Sequence, residues 1–192
     1  MRTSRLEAFS DGVIAILITI MVLDLRIPHG TGWDALAPQW PVFLSYVLSF
    51  LHLGIYWNNH HHMFQMVERV TGAILWANLH LLFWLSLLPF ATGWMGENQF
   101  ARLPTAAYGC VLLAAAISYT LLQVTIVRRP DAGARLKEAV GRDRKGKASL
   151  VMYAIGIAAA FYAQWLAAAL YTAVALMWLV PDRRIESRLG SS

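Results

Sequence analysis

Two groups of polar and ionisable side chains lie within or beside long apolar segments of the sequence. The first group is Arg5, Ser10 and Asp11, which come directly before the apolar run 13–23. The second is the run 57–62, Trp-Asn-Asn-His-His-His, with Asn78 further along the chain. Ionisable groups are costly at membrane depth, so they usually pair with one another or carry a function. These side chains could form a hydrogen-bonded network, a metal site or a proton relay.

The histidine run His60–His62 does not have the spacing of a metal site. On a helix, consecutive residues point about 100° apart, whereas helical metal pairs are four residues apart. No cysteine or carboxylate at such a spacing completes a ligand set. We therefore predict no metal or cofactor. A polar network fits better, because each partner satisfies another where water is scarce; its candidate members are Arg5, Asp11, one or more of the three histidines, and Asn78.

The sequence contains no recognisable catalytic arrangement, and we do not predict an enzyme. It has no glycine-rich phosphate loop, no nucleophile elbow and no cysteine–histidine pair with a credible base. A potassium filter of the T-V-G-Y-G type is also absent. The single cysteine, Cys110, falls in an apolar run, and we expect it to be a small buried apolar residue.

The composition indicates that membrane helices position the polar groups. Of the 192 residues, 58% are hydrophobic and 14% are charged, against about 25% charged in a typical soluble domain. A bilayer core needs about 20 mostly apolar residues per helix. The apolar run 148–180 is too long for one such helix, and we expect a turn near Gln164. The predicted fold is a single all-α integral membrane domain over residues 1–192, with six spans at about 6–25, 38–64, 70–94, 104–127, 148–164 and 166–180.

The basic residues are distributed unevenly between the two sides that six spans define. With the N-terminus in the cytoplasm, 14 of the 16 lysine and arginine residues fall inside, most of them in the loop 128–147 and the tail after 181. Only Arg26 and Arg102 fall outside. The positive-inside rule therefore places both termini in the cytoplasm. No aromatic residue is interleaved with the basic ones of the loop, so we expect no nucleic-acid partner.

We expect the first segment to be a retained helix with two distinct faces. Asp11 interrupts the apolar run, and no small-residue cleavage site follows before Asp24, which argues against a signal peptide. At about 100° per residue, Ser10 and Asp11 fall away from one long stripe. From the residues alone this stripe could face lipid, another helix or a pore. Its members are Arg5, Phe9, Gly12, Val13, Ile16, Thr19, Ile20 and Leu23.

The pattern Arg5-x-x-x-Phe9-Ser10-Asp11 before the first of six helices resembles the signature of the transmembrane protein 175 family, which contains lysosomal potassium channels and their bacterial relatives. Three further stretches, 57–62, 85–90 and 181–186, also resemble sequences of this family, so the resemblance covers essentially the whole chain. It implies a cation channel with potassium preference whose pore is lined by the first helix of each subunit. Animal members hold two six-helix repeats and dimerise. One repeat therefore implies a homotetramer, here in a prokaryotic plasma membrane.

The resemblance also implies roles for individual residues. Ile16 falls where the family has its narrowest, hydrophobic constriction, and the next pore-lining layers would be Thr19, Ile20 and Leu23. Asp24 would lie at the pore mouth, or would form an exposed pair with Arg26. The motif residues would brace helices within the subunit; with their expected partners they are Arg5, Phe9, Ser10, Asp11, His60, His61 and Asn78.

Two alternatives remain open from the sequence. A proton-coupled or other secondary transporter would use Asp11 and His60–His62 as a relay, although the chain shows no internal repeat or clearly broken mid-membrane helix. A membrane enzyme or metal-binding protein would be built on the same histidines.

Overall fold

The regular elements in the described part of the chain are helices, as the composition predicts. The computed structural model describes residues 3–67, 69–128 and 143–179. A short 3-10 turn at Val22–Asp24 follows the first helix, and another at Ala37–Gln39 joins the second helix to the third. The helices are α1 (Thr3–Met21), α2 (Trp33–Leu36), α3 (Trp40–Gln65), α4 (Gly72–Ser86), α5 (Leu88–Glu97), α6 (Arg102–Val127), α7 (Arg144–Ala160) and α8 (Gln164–Leu179).

Four helical stretches in the described part of the chain are long and apolar enough to cross a membrane. They are Thr3–Asp24, Trp33–Gln65, Gly72–Glu97 and Arg102–Val127. The remaining helices, α7 and α8, have 17 and 16 residues, about 26 and 24 Å of helix, near the lower limit for a span. The turn between them covers 161–163, just before the expected position. The loop 129–142 and the tail from 180 lie outside the described residues.

The third predicted span is interrupted at Leu87, where we expected no clearly broken mid-membrane helix. The first half, α4, ends at Ser86, and α5 begins at Leu88 with Pro89 in its first turn. Pro89 has no N–H to donate to the carbonyl of Leu85, and its ring crowds the preceding turn. The break at Leu87 is therefore a local consequence of the proline, and the two halves continue as one apolar stretch.

The helices pack as a bundle in which α1 lies at one side. α1 contacts α3, α4 and α5, whereas α6 contacts α4 and α7, and α7 contacts α8. The contacts among the last three helices are close, because a Cβ added at Gly109 or Gly156 would collide with the ring or hydroxyl of Tyr171. These three helices are not the main neighbours of α1, which packs on α3, α4 and α5 from one side.

Candidate functional site

α1 has one buried face and one exposed face. The buried side chains recur every three or four residues, as expected for one side of a helix, and they are Leu6, Ser10, Ile14, Leu17 and Met21. The opposite face carries the predicted stripe, which continues into the 3-10 turn Val22–Asp24. Ile16 is 57% exposed and Leu23 in the turn is 78% exposed, and Phe9, Thr19 and Ile20 are also exposed. Thr19 donates its hydroxyl hydrogen to the carbonyl of Ile16 (2.9 Å). The described residues therefore leave a long apolar stripe of α1 uncovered.

The buried face of α1 carries one polar side chain, and two other helices satisfy it. Ser10 is fully buried, and so are Asn78 on α4 and His60 on α3. The Nδ2 atom of Asn78 lies 2.9 Å from Ser10 Oγ. The Oδ1 atom of Asn78 lies 2.7 Å from His60 Nε2. One polar group from each of three helices thus joins a single chain of hydrogen bonds.

The geometry assigns a direction to these hydrogen bonds. Ser10 Oγ lies 3.0 Å from the carbonyl of Leu6, which can only accept, so the hydroxyl donates there and accepts from Asn78 Nδ2. The oxygen of Asn78 then faces His60, whose Nε2 must carry a hydrogen to donate it. In the described part of the protein the other ring nitrogen, Nδ1, has no partner. His60 therefore carries a hydrogen on Nε2 and donates it to Asn78.

A second set of polar contacts joins α1 to α3. The indole Nε1 of Trp57 donates to Asp11 Oδ1 at 3.0 Å, and its ring stacks on the ring of His61. His61 Nδ1 lies 2.7 Å from the carboxylate of Glu7, to which it donates, while its Nε2 accepts from Gln65 at 2.8 Å. Two carboxylates one turn apart on α1 are thus each held by an aromatic N–H of α3.

The predicted polar network is divided in the structure. Ser10, His60 and Asn78 come together, whereas Asp11 and His61 belong to the second set of contacts. Arg5 is exposed, and no hydrogen bond or ion pair to it occurs within the described ranges.

Sequence reasoning missed Glu7, and it named Trp57 in the run 57–62 without assigning it a contact. The spacing of Glu7 and Asp11 was a usable signal, since residues four apart share one face of a helix. Among the described residues, no three histidine, cysteine or acidic side chains converge on a common point.

The outer end of α1 leads to a small group of charges. Arg26 donates to the carboxylate of Glu97 at the end of α5 (2.6 Å), and both side chains are largely exposed. Asp24 lies close to Gly93 of α5, where an added Cβ would be 3.3 Å from its carboxylate. The partner of Arg26 is therefore Glu97, and Asp24 is left at the surface beyond the exposed stripe.

These features define a helical protein with several membrane-spanning stretches, whose first helix is braced by polar contacts on one face and uncovered on the other. The family model described as endosomal/lysosomal potassium channel TMEM175 matches residues 5–89. A potassium channel of Chryseobacterium sp. (strain P1-3) is 53% identical over 189 residues, covering 98% of both chains. The chain belongs to the TMEM175 family.

Two further comparisons agree with this assignment. A crystal structure of a lysosomal potassium-selective channel TMEM175 homolog from Chamaesiphon minutus superposes with a TM-score of 0.79 at 29% identity, covering 93% of this chain and 96% of that one. The human endosomal/lysosomal proton channel TMEM175 is 36% identical over 112 residues, which are 52% of this chain and 22% of the human protein. The fold is thus that of a solved channel along nearly its whole length.

Proposed function

We propose that this chain is the subunit of a potassium-permeable channel in which α1 of each subunit lines a central pore. The observation that carries the proposal is the uncovered stripe of α1, with Ile16 and Leu23 on the surface and Ser10 buried behind them. Bacterial relatives named potassium channels support the choice of ion. A membrane-length apolar stripe on a helix braced from behind is suited to face its own copies around an axis.

In this proposal Ile16 forms the constriction, and Thr19, Ile20 and Leu23 form the neighbouring layers of the pore wall. Apolar rings gate a pore by narrowing and dewetting it, without a filter of backbone carbonyls. Asp24 follows the last layer at the mouth, where several copies of its carboxylate would concentrate cations. Permeating potassium is the only ion the site requires.

The proposed assembly is a homotetramer with six spans per subunit and both termini in the cytoplasm of a prokaryotic cell, anchored in its plasma membrane. The distribution of lysine and arginine supports this orientation. The short helices α7 and α8 supply the fifth and sixth spans. Four such subunits would supply as many six-helix repeats as a dimer of the two-repeat animal members.

The polar contacts behind the stripe hold α1 in place in this proposal. Ser10, His60 and Asn78 brace the buried face, and Asp11 and His61 brace the cytoplasmic end through Trp57 and Glu7. Phe9 lies on the exposed face, and Arg5 beside it is free of these contacts. The braces carry no ion themselves.

The alternative of a proton-coupled transporter is less well supported. A relay through Asp11 and the histidines would need a contact between them, but Asp11 bonds Trp57. His60 bonds Asn78 and His61 bonds Glu7. The relatives described above are named as channels.

The proposal is tested by measuring potassium flux into proteoliposomes for the variant Ile16→Asn. An amide ring at the constriction is easier to hydrate, so we expect the flux to rise or the preference for potassium over sodium to change. Ile155→Asn is a matched control, because Ile155 on α7 is 52% exposed and lies away from α1. A folded Ile16→Asn variant with unchanged flux and selectivity would overturn the assignment.

A further inference from the structure

Arg5 lies near the start of α1 on the same face as the proposed constriction. It comes eleven residues before Ile16, which is close to three full turns of a helix, so the two side chains point within about 20° of each other. Arg5 is exposed, as Phe9 and Ile16 are. A guanidinium stays protonated in proteins. The exposed stripe of α1 therefore begins with a permanent positive charge.

The opposite side of this first part of α1 is attached to the rest of the subunit by two contacts. The hydroxyl of Thr3 donates to the carbonyl of Val67 at 2.8 Å. The carboxylate of Glu7 accepts from His61 at 2.7 Å. Thr3 and Glu7 are each two residues from Arg5, so they point about 160° away from it. These contacts hold α1 with Arg5 directed away from its own subunit.

The position of Arg5 does not stabilise the helix that carries it. The N-terminal end of an α-helix has a partial positive charge, which disfavours a cation in the first turn. No acidic residue lies in the first turn of α1 as described, beginning at Thr3, to offset this charge. The charge of Arg5 is thus unfavourable to its own helix and calls for a role elsewhere.

We propose that Arg5 lines the cytoplasmic mouth of the pore and that its charge slows the entry of potassium from that side. This role rests on the proposed channel, in which copies of α1 surround one axis. Four guanidinium groups around the inner mouth would lower the local concentration of potassium. Asp24 lies beyond the other end of the stripe. The two mouths therefore carry opposite charges, and the current is larger when potassium enters from the Asp24 side.

The carboxylates closest along α1 lie too far round the helix to cancel the charge of Arg5. Glu7 accepts from His61, and Asp11 accepts from the indole of Trp57 on the α3 side. A helix with its side chains is about 10–12 Å across, so both carboxylates lie further from the pore axis by most of that diameter. The Debye length is about 10 Å at 0.1 M salt. The guanidinium therefore dominates the potential at the inner mouth.

The test changes the charge at position 5 in a channel that already conducts. The protein carries Arg5→Cys and Cys110→Ala, and its potassium current is recorded in a planar bilayer before and after a membrane-impermeant methanethiosulfonate enters one chamber. At about 0.1 M KCl we expect the negatively charged reagent to give at least about twofold more conductance than a positively charged one, for potassium entering from the chamber where the cysteine reacts. At about 1 M KCl, where the Debye length is about 3 Å, the difference should nearly vanish.

Arg128→Cys in the same background is the matched control. Arg128 is also an exposed arginine at the end of a membrane-length helix, but that helix is α6, which is not a main neighbour of α1. Both reagents should leave its conductance unchanged. Arg5→Lys keeps the charge and should keep the wild-type asymmetry of the current.

Two results would overturn the role of Arg5. One is equal conductance with the two reagents in protein that mass spectrometry shows to be labelled at position 5. The other is a cysteine at position 5 that does not react, since a residue at the pore mouth must be accessible. A wild-type protein that carries no potassium current would instead contradict the proposed channel itself, so the two failures are distinct.

Discussion

Asn78 donates a 2.9 Å hydrogen bond to the hydroxyl of Ser10, and both side chains are completely buried. This bond ties α4 to the one polar position on the inner face of α1. The same amide accepts from His60, so it satisfies two neighbours at once. The exposed stripe of α1 depends for its orientation on this buried contact behind it.

Replacing Asn78 with alanine should destabilise the protein. The variant would leave the buried Nε2–H of His60 unpaired and remove a donor from Ser10, and an unsatisfied buried group costs about 1–3 kcal/mol. Thermal unfolding in detergent measures the loss. Asn98→Ala is the control, because Asn98 is exposed and bonds only the nearby carbonyl of Trp94; its effect should stay within about 0.5 kcal/mol. Equal losses for the two variants would contradict the role of Asn78.

The contact between Asp11 and Trp57 should depend on the acceptor oxygen and not on the negative charge. Asp11→Asn keeps an oxygen for the indole N–H, so its stability should change by less than about 0.5 kcal/mol. Asp11→Ala and Trp57→Phe each remove the bond and should cost about 0.5–1.5 kcal/mol. The double variant should cost less than the sum of the two single changes. Simple additivity in unfolding measurements would show that the two side chains do not interact.

The cost of replacing Gly109 or Gly156 with alanine should change differently when Tyr171 is also replaced with phenylalanine. Gly109→Ala places a methyl group against the hydroxyl of Tyr171, whereas Gly156→Ala places it against a ring carbon. Both should destabilise by about 1–3 kcal/mol through overpacking. In a Tyr171→Phe background the cost of Gly109→Ala should fall, and the cost of Gly156→Ala should not. The comparison needs unfolding curves for each glycine variant in the wild-type and Tyr171→Phe backgrounds, and for the two parent proteins. An equal reduction of the cost at both positions would contradict this prediction.

Cysteines at the proposed constriction should cross-link neighbouring subunits. Cys110 on α6 is exposed, where we expected a buried residue, so it is first replaced by alanine. In this Cys110→Ala background, oxidation of Ile16→Cys should give disulfide-linked dimers, because four copies of α1 around one axis bring this position close to itself. Ile155→Cys should stay monomeric on a denaturing gel, since Ile155 has similar exposure on α7. A dimer band of equal strength from both variants would indicate random collision and count against the assembly.

The faces of α1 were predictable from the sequence, because helical spacing alone separates Ser10 from Ile16 and Leu23. The break at Leu87 could also have been predicted from Pro89, whose missing N–H interrupts the helical hydrogen bonds. Topology placed His60 at the level of Ser10 and Asn78 a little deeper in the membrane. For these features, helical periodicity and the thickness of the membrane together leave only a few possible placements of each side chain.

The pairing of individual polar groups could not be predicted in the same way. Whether Asp11 bonds a histidine or Trp57 depends on side-chain rotamers and on how far α3 is turned about its axis. Such features follow from tertiary packing, which a periodic pattern does not encode.

The hydrogen bonds from His60 through Asn78 to Ser10 allow α1 only one register. Advancing the helix by a single residue would turn it by about 100° and shift it by about 1.5 Å, which would present Phe9 or Asp11 to Asn78 in place of the serine. Phe9 has no acceptor for the amide, and Asp11 would have to give up its bond to Trp57 to accept from it. A change in the proposed pore that leaves these bonds intact must therefore tilt or displace α1, α3 and α4 together as a rigid body, and cannot rotate α1 about its own axis.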